Sequence, residues 1–223
     1  RDISTTRLGL ASTRIIGCCA IGGEAVGIAA ALCKKYACDP RELAPHVKEL
    51  QQLILKEDGF LPGFQNEDEK DLALKAKITA SAWEQGGEPE KVANGISRKL
   101  GEEQNGWVTK PGECLTMKWD EAKEIREIRL TFESNFAYPI RVTMAPLRQA
   151  QQRNGVPEEL VKDVKIELYR EGKKTGEAYV KGNYQRLCSV GIGDVIADEI
   201  RVIPESTNGA EQAVIHEIRV YAK

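Results

Sequence analysis

Two hydrophobic rhythms divide the chain. Up to about residue 60, apolar side chains recur at helical spacing. An Ala/Gly/Cys-rich run over residues 15–33 carries one charge, Glu24. It predicts a glycine-rich turn that opens a buried helix over residues 23–36. Gly23 and Gly27, four apart, share one face of that helix, and a face of small residues admits another backbone or a flat ligand. Asp39-Pro40-Arg41-Glu42 predicts a second helix start, with Asp as N-cap, Pro at the first helical position and Glu three residues after the cap. Leu43, Val47, Leu50, Leu53 and Ile54 then form a stripe, which ends near Asp58-Gly59 and the Leu61-Pro62-Gly63 turn. The charged stretch 65–75 reads as a linker.

Beyond it the period falls from 3.6 to 2. Ile128, Leu130 and Phe132 alternate with Arg129 and Thr131. Ile140, Val142 and Met144 alternate with Arg141 and Thr143, and Val164, Ile166 and Leu168 with Lys165 and Glu167. These patterns predict strands over 125–133, 139–144 and 163–170, continued at 199–203 and 214–221. Shorter strands are expected at 76–82, 113–119, 178–181 and 186–190. Residues 145–160 break the rhythm and read as an insertion, with a short helix from Pro157. Eight or nine short strands, each wet on one face, predict an antiparallel β-sandwich or barrel. The fold class is therefore mainly β with an α-helical N-terminal segment, divided into residues 1–70 and 71–223.

Charge narrows the function. The 223 residues hold 32 basic and 34 acidic side chains, a net charge of −2, with no field that would draw nucleic acid. The two histidines, His46 and His216, exclude a multi-histidine metal site and leave little room for a Ser-His-Asp triad. No metal ligands and no catalytic residues are assigned, and the neighbouring pairs Glu102-Glu103 and Glu158-Glu159 read as solvated. The six cysteines form no CxxC. Most read as small hydrophobes, with a Cys33–Cys38 disulfide open if the protein is exported. Residues 15–33 are long enough to span a membrane, but weakly apolar Ala, Gly and Cys and the central Glu24 argue against a span. Nor do they form a signal peptide, which needs a methionine start and a basic flank. A first residue of Arg1 suggests a processed chain or a piece of a longer one.

The run Ser12-Thr13-Arg14-Ile15-Ile16-Gly17-Cys18-Cys19-Ala20, then Gly23-Glu24-Ala25-Val26-Gly27-Ile28-Ala29-Ala30-Ala31-Leu32, resembles the C-terminal end of FAD-dependent oxidoreductases. The resemblance is to a bacterial group often found beside carbohydrate-degrading enzymes. Asp39-Pro40-Arg41-Glu42-Leu43, Gln51-Gln52 and Leu61-Pro62-Gly63 extend it over about residues 1–65. Ile78-Thr79-Ala80-Ser81-Ala82, Val92-Ala93-Asn94-Gly95, Asn105-Gly106-Trp107, Asn183-Tyr184-Gln185-Arg186-Leu187 and His216-Glu217-Ile218-Arg219-Val220-Tyr221 are similar to the discoidin-like, or galactose-binding-like, jelly roll. Asn94-Gly95 stands where that family usually has Asp-Gly, which weakens any inference of bound calcium. No GxGxxG turn follows a strand here, so the nucleotide-gripping part of a flavoenzyme is missing.

The resemblance implies the C-terminal part of an FAD-dependent oxidoreductase that is inactive alone. FAD is expected in the parent protein and none on this fragment. The last helix of the flavin domain would point its N-terminus at the ring, placing Arg14, Ala20, Ile21, Gly22 and Gly23 at the cofactor; free N–H groups there would stabilise a reduced flavin. On the residues alone, the glycines serve tight helix packing equally well. Trp83, Asn94 and Arg186 are the candidates to hold a glycan, although weak or no glycan binding is expected. On the residues alone Trp83 reads equally as a packed loop tryptophan and Arg186 as structural, and the alternatives are a carbohydrate-binding module or a purely structural accessory. Trp107 and Trp119 read as packing residues, and His216 as a buried or edge histidine with one hydrogen-bond partner. The partners implied are an upstream FAD-binding domain, a glycan, and a second copy through the exposed N-terminal helix unless that helix packs on the Leu43–Ile54 stripe. The sequence does not fix the compartment, and the family resemblance slightly favours a periplasmic or extracellular one.

Overall fold

A computed structural model of the chain describes residues 4–138, 143–153 and 155–222. They form two compact units, Arg1–Glu67 and Asp68–Lys223.

The first unit is helical. A short helix, α1 (Arg7–Thr13), is capped by the Thr6 hydroxyl, which accepts the Gly9 N–H at 3.2 Å. After a break at Arg14 and Ile15, α2 runs over Ile16–Tyr36. It starts seven residues earlier than the sequence predicts. Ile15 is extended and acts as N-cap, and the Ile, Cys and Ala around Gly17, Gly22 and Gly23 carry the helix through its glycines, each of which costs under about 1 kcal/mol. The expected glycine turn is thus the middle of a helix. The expectation of a buried helix is also corrected: Leu32 is its one buried residue, and Ile16, Ile21 and Val26 stand exposed.

The Asp39 helix start is present, but as one 3-10 stretch, Pro40–His46. The Glu42 carboxylate accepts the Asp39 N–H at 2.9 Å. Pro45, inside that stretch, lacks an N–H and cannot make a regular helical bond, and the regular helix α3 runs from Val47 to Lys56. Leu43, Ile54 and Leu55 are buried, and α2 packs against α3 and the Pro40–His46 stretch. Polar contacts reinforce this corner. Tyr36 stacks on His46 with centroids 3.6 Å apart, and the Glu49 carboxylate accepts from Lys35 Nζ at 2.7 Å and Tyr36 OH at 2.5 Å.

The second unit is a seven-stranded antiparallel sheet folded into a sandwich. Its strands are β1 (Lys77–Ala80), β2 (Trp107–Thr109), β3 (Leu115–Phe132), β4 (Val161–Arg170), β5 (Lys173–Val180), β6 (Leu187–Thr207) and β7 (Ala213–Tyr221). The order is β2-β7-β3-β6-β4-β5, with β1 on β3. The four pieces expected at 113–119, 125–133, 186–190 and 199–203 are two long strands. Asp120-Glu121-Ala122 interrupts the alternation, but the chain absorbs it as an irregularity between Lys118 and Lys123 rather than a turn, as a bulge can. Both β3 and β6 therefore pass through both layers. Leu115–Lys118 pairs with Glu199–Val202, and Glu127–Thr131 with Leu187–Gly191. Trp107, Met117, Ile128, Phe132, Ile166, Ile200 and Ile218 fill the space between at essentially no exposure.

Two expectations are corrected by this unit. The stretch from Asp71 to Lys75 is not linker. The buried Asp71 carboxylate accepts the N–H groups of Ala73 at 3.0 Å and Val220 at 2.9 Å, and Trp119 Nε1 donates to the Leu72 carbonyl at 2.9 Å. A carboxylate that satisfies two backbone donors at once fixes the start of the sandwich onto β7. The short helix of the 145–160 insertion is α4, Pro146–Ala150, not a helix from Pro157. Most of the strand expected over 139–144 lies outside the described residues.

Candidate functional site

A cleft of about 480 Å3 opens beside the end of β3, lined chiefly by Arg98, Glu102, Gln104, Glu133, Asn135, Phe136, Glu159 and His216. The strand delivers Glu133, then the chain turns sharply. Asn135 takes a left-handed conformation at φ 54°, a region that Asn tolerates better than most residues. That turn throws Phe136 outward, 62% exposed. The guanidinium groups of Arg186 and Arg98 lie 4.4 and 5.4 Å from its ring centre.

The polar floor is fixed by hydrogen bonds. His216 on β7 is buried and reaches the Asn105 carbonyl through Nδ1 and the Glu133 carboxylate through Nε2 at 3.1 Å. The two ring nitrogens thus tie the Asn105 backbone to the Glu133 side chain. His216 thus has two partners where the sequence suggests one. Burial alone would raise the Glu133 carboxyl. The hydrogen bond and charge of His216, the Asn135 N–H and the charge of Arg186 outweigh it and hold the group down at about 2. Across the cleft, Glu159 accepts from Arg153 Nη1 at 2.5 Å and Asn135 Nδ2 at 2.8 Å. Arg153 first, with Asn135 assisting, keeps it below the usual carboxylate range. A second hollow of about 280 Å3, lined by Lys110, Glu211 and Gln212, shares the Glu133 and Glu159 walls. Two carboxylate acceptors, an amide, guanidinium donors and one exposed ring are the groups that grip hydroxyls and cover the apolar face of a sugar.

The sequence-derived sugar residues divide. Arg186 flanks the cleft, its guanidinium donating to the Phe132 carbonyl at 2.6 Å and to the Ser97 carbonyl. Asn94 is turned inward, donating to Asn105 Oδ1 at 2.8 Å and accepting from the Ile96 N–H at 2.9 Å. Trp83 is about half exposed but is not among the residues lining the cleft. Phe136, Asn135, Glu133 and Glu159 carry no sequence rhythm that singles them out. An aromatic beside Asn just past a strong strand was the available signal.

The flavin-side residues sit on α2. Ala20, Ile21, Gly22 and Gly23 lie inside the helix, so their N–H groups bond to the preceding turn and cannot serve a ligand. The free donors are those of Ile16, Gly17 and Cys18, next to the exposed Arg14. A Cβ at Gly22 or Gly23 would meet no atom within 4 Å. The glycine face of α2 is therefore open, and its first turn and Arg14 are the donors at that end of the helix.

Residues 1–54 match the family model described as FAD dependent oxidoreductase. No curated protein matches the chain. Among solved structures, the lectin domain of Lectinolysin complexed with Lewis B antigen is similar at a TM-score of 0.53 and 11% identity, over 70% of this chain and 98% of that one. A Streptococcus pneumoniae fucose binding module is similar at 0.51 and 12% identity, over 71% and 99%. The family 32 carbohydrate-binding module of S. pneumoniae EndoD is similar at 0.51 and 15% identity, over 69% and 99%. At these identities the likeness is one of fold. The chain thus joins a segment that matches a model of FAD-dependent oxidoreductases to a β-sandwich whose fold is like that of carbohydrate-binding modules.

Proposed function

We propose that this chain acts as the closing part of an FAD-dependent oxidoreductase whose sandwich holds a sugar or glycan at the Phe136 cleft. The observation that carries this reading is the uncovered apolar face of α2, which lies within the segment that matches the oxidoreductase family. That face, with Ile16, Ile21 and Val26 exposed, is where the rest of a flavin domain would pack. Among the described residues α2 is also the one helix long and apolar enough to cross a membrane. Its Gly, Ala and Cys content and its central Glu24 suit a protein partner better than lipid. The occupant proposed is the flavin domain of the same polypeptide, not a second copy.

Bound FAD supplies hydride acceptance. Arg14 and the first turn of α2 would lower the energy of negative charge on the reduced ring, and Ala20, Ile21, Gly22 and Gly23 would offer it a close surface. The nucleotide-gripping groups lie elsewhere, so this chain alone is proposed to hold no FAD and to turn over no substrate. In the sandwich, Phe136 covers the ring face, Arg98 and Asn135 donate, and Glu133 and Glu159 accept. A periplasmic or extracellular setting accords with a glycan ligand.

Capture of the native polypeptide with an antibody to the sandwich tests the first half. A species much longer than 223 residues with flavin absorbance is expected; a flavin-free species of this length overturns it. Calorimetry of the chain against free monosaccharides and disaccharides tests the second half. Binding that weakens about tenfold in Phe136→Ala is expected, and silence across the panel leaves the sandwich a structural accessory.

A further inference from the structure

The C-terminal end of α2 places two thiols together. Ala37 adopts the left-handed conformation at φ 50°, ψ 45°. The Cys38 N–H then bonds to the Cys33 carbonyl at 3.1 Å, and the Ala37 N–H to the Lys34 carbonyl at 3.4 Å. This pair of bonds is a Schellman motif, which brings the side chain two positions past the helix against the one in its last turn. Usually two apolar groups meet there. Here they are Cys33 and Cys38, both free, both partly exposed. Burial first, and then the neighbouring Cys33, raise the Cys38 thiol, which agrees with contact between the two groups. The backbone bond keeps the two α-carbons within disulfide range. No other cysteine pair among the described residues has a backbone bond joining its members.

We propose that Cys33 and Cys38 are a reversible disulfide site that staples the end of α2 to the turn leading into Pro40–His46. The oxidant is a small disulfide such as oxidised glutathione. One cysteine thiolate attacks a glutathione sulfur, forming a mixed disulfide and expelling one glutathione thiolate. The second cysteine thiolate then attacks the protein sulfur and expels the other glutathione. The protein loses two electrons and two protons, and the glutathione disulfide becomes two thiols. Closing the ring fixes the left-handed residue between the two sulfurs and removes open states of the helix end from the unfolded chain. The corner held by Tyr36, His46 and Glu49 would then resist fraying while α2 presents its apolar face.

The chain itself supplies a convenient readout, because Lys34 and Lys35 lie inside the would-be ring. The purified chain is equilibrated in glutathione buffers of increasing oxidised fraction, trapped by alkylation and digested with trypsin. The expected result is peptide 15–34 linked to peptide 36–41, two hydrogen atoms lighter than the reduced pair, with fragment ions placing the link at Cys33 and leaving Cys18 and Cys19 alkylated, reversed by dithiothreitol. Helix melting should shift upward by a few degrees in the oxidised form. Cys33→Ser and Cys38→Ser should each abolish both effects while keeping the circular dichroism of the reduced chain. Recovery of both residues alkylated under the most oxidising buffer overturns the proposal. So does linkage through Cys18 or Cys19 instead. The peptide map is read on the unmutated chain, so a poorly folding variant does not rescue the idea.

Discussion

The helical unit and the sandwich solve the burial problem in opposite ways. The sandwich encloses Trp107, Leu115, Ile128, Phe132, Ile166 and Ile215 with no exposure. The helical unit buries Leu32, Leu43, Ile54 and Leu55 and leaves Ile16, Ile21 and Val26 exposed. One unit has a core of its own; the other has a corner and an open face. An exposed apolar face of this kind marks a surface made to be covered. Stability in this chain should therefore reside in the sandwich, and partner dependence in the helices.

The strongest challenge to that contrast is a pair of truncations. Phe132→Ala should cost about 3–5 kcal/mol of sandwich stability, whereas Leu32→Ala should sit at the low end of about 2–5 kcal/mol because its surroundings can collapse. Urea unfolding followed at tryptophan and by circular dichroism reads both, and equal losses would break the contrast. Next comes Glu133→Gln, which leaves His216 without its charged partner and should cost about 1–3 kcal/mol at neutral pH. The Glu133 carboxyl lies lower in the folded state, at about 2, than in the unfolded chain. Its contribution is thus fully present above about pH 4.3 and fades as the pH falls toward 2. Urea midpoints of wild type and variant should converge over that window; a constant gap down to pH 2 would refute the assignment.

Phe136→Ala should leave the urea midpoint within about 0.5 kcal/mol yet weaken sugar binding about tenfold, the scale of one lost aromatic contact. The smallest effect on this chain is expected from Ile21→Ser on the open face of α2, again within about 0.5 kcal/mol. In a chain that also carries a flavin domain, the same change should release flavin on dilution, seen as a rise in free-flavin fluorescence. Retention of flavin there would show that the face is not the contact.

The period-2 alternation made the sandwich legible, because each strand has one wet face and a slip of one residue would bury its charges. The helical unit was less so. Gly17, Gly22 and Gly23 read as a turn, yet their neighbours carry a helix, and Pro45 divided what the apolar stripe joined. Arg186 was legible as a candidate at the cleft. The rest of the cleft was not, since His216 meets Glu133 and Asn105 across 83 and 111 positions. The pairing of β7 with β3 on one side and β2 on the other brings such groups together, and no local pattern encodes it. Trp83, by contrast, stands outside the residues that line this cleft.

The passage of β3 and β6 through both layers has a mechanical consequence. Neither layer can peel away while the other persists, because the same two backbones run through each. Opening should be all-or-none, so amide protons of Met117 and Leu130, at opposite ends of β3, should exchange at one common free energy. A tether pulling on either end would find no weak seam between the sheets.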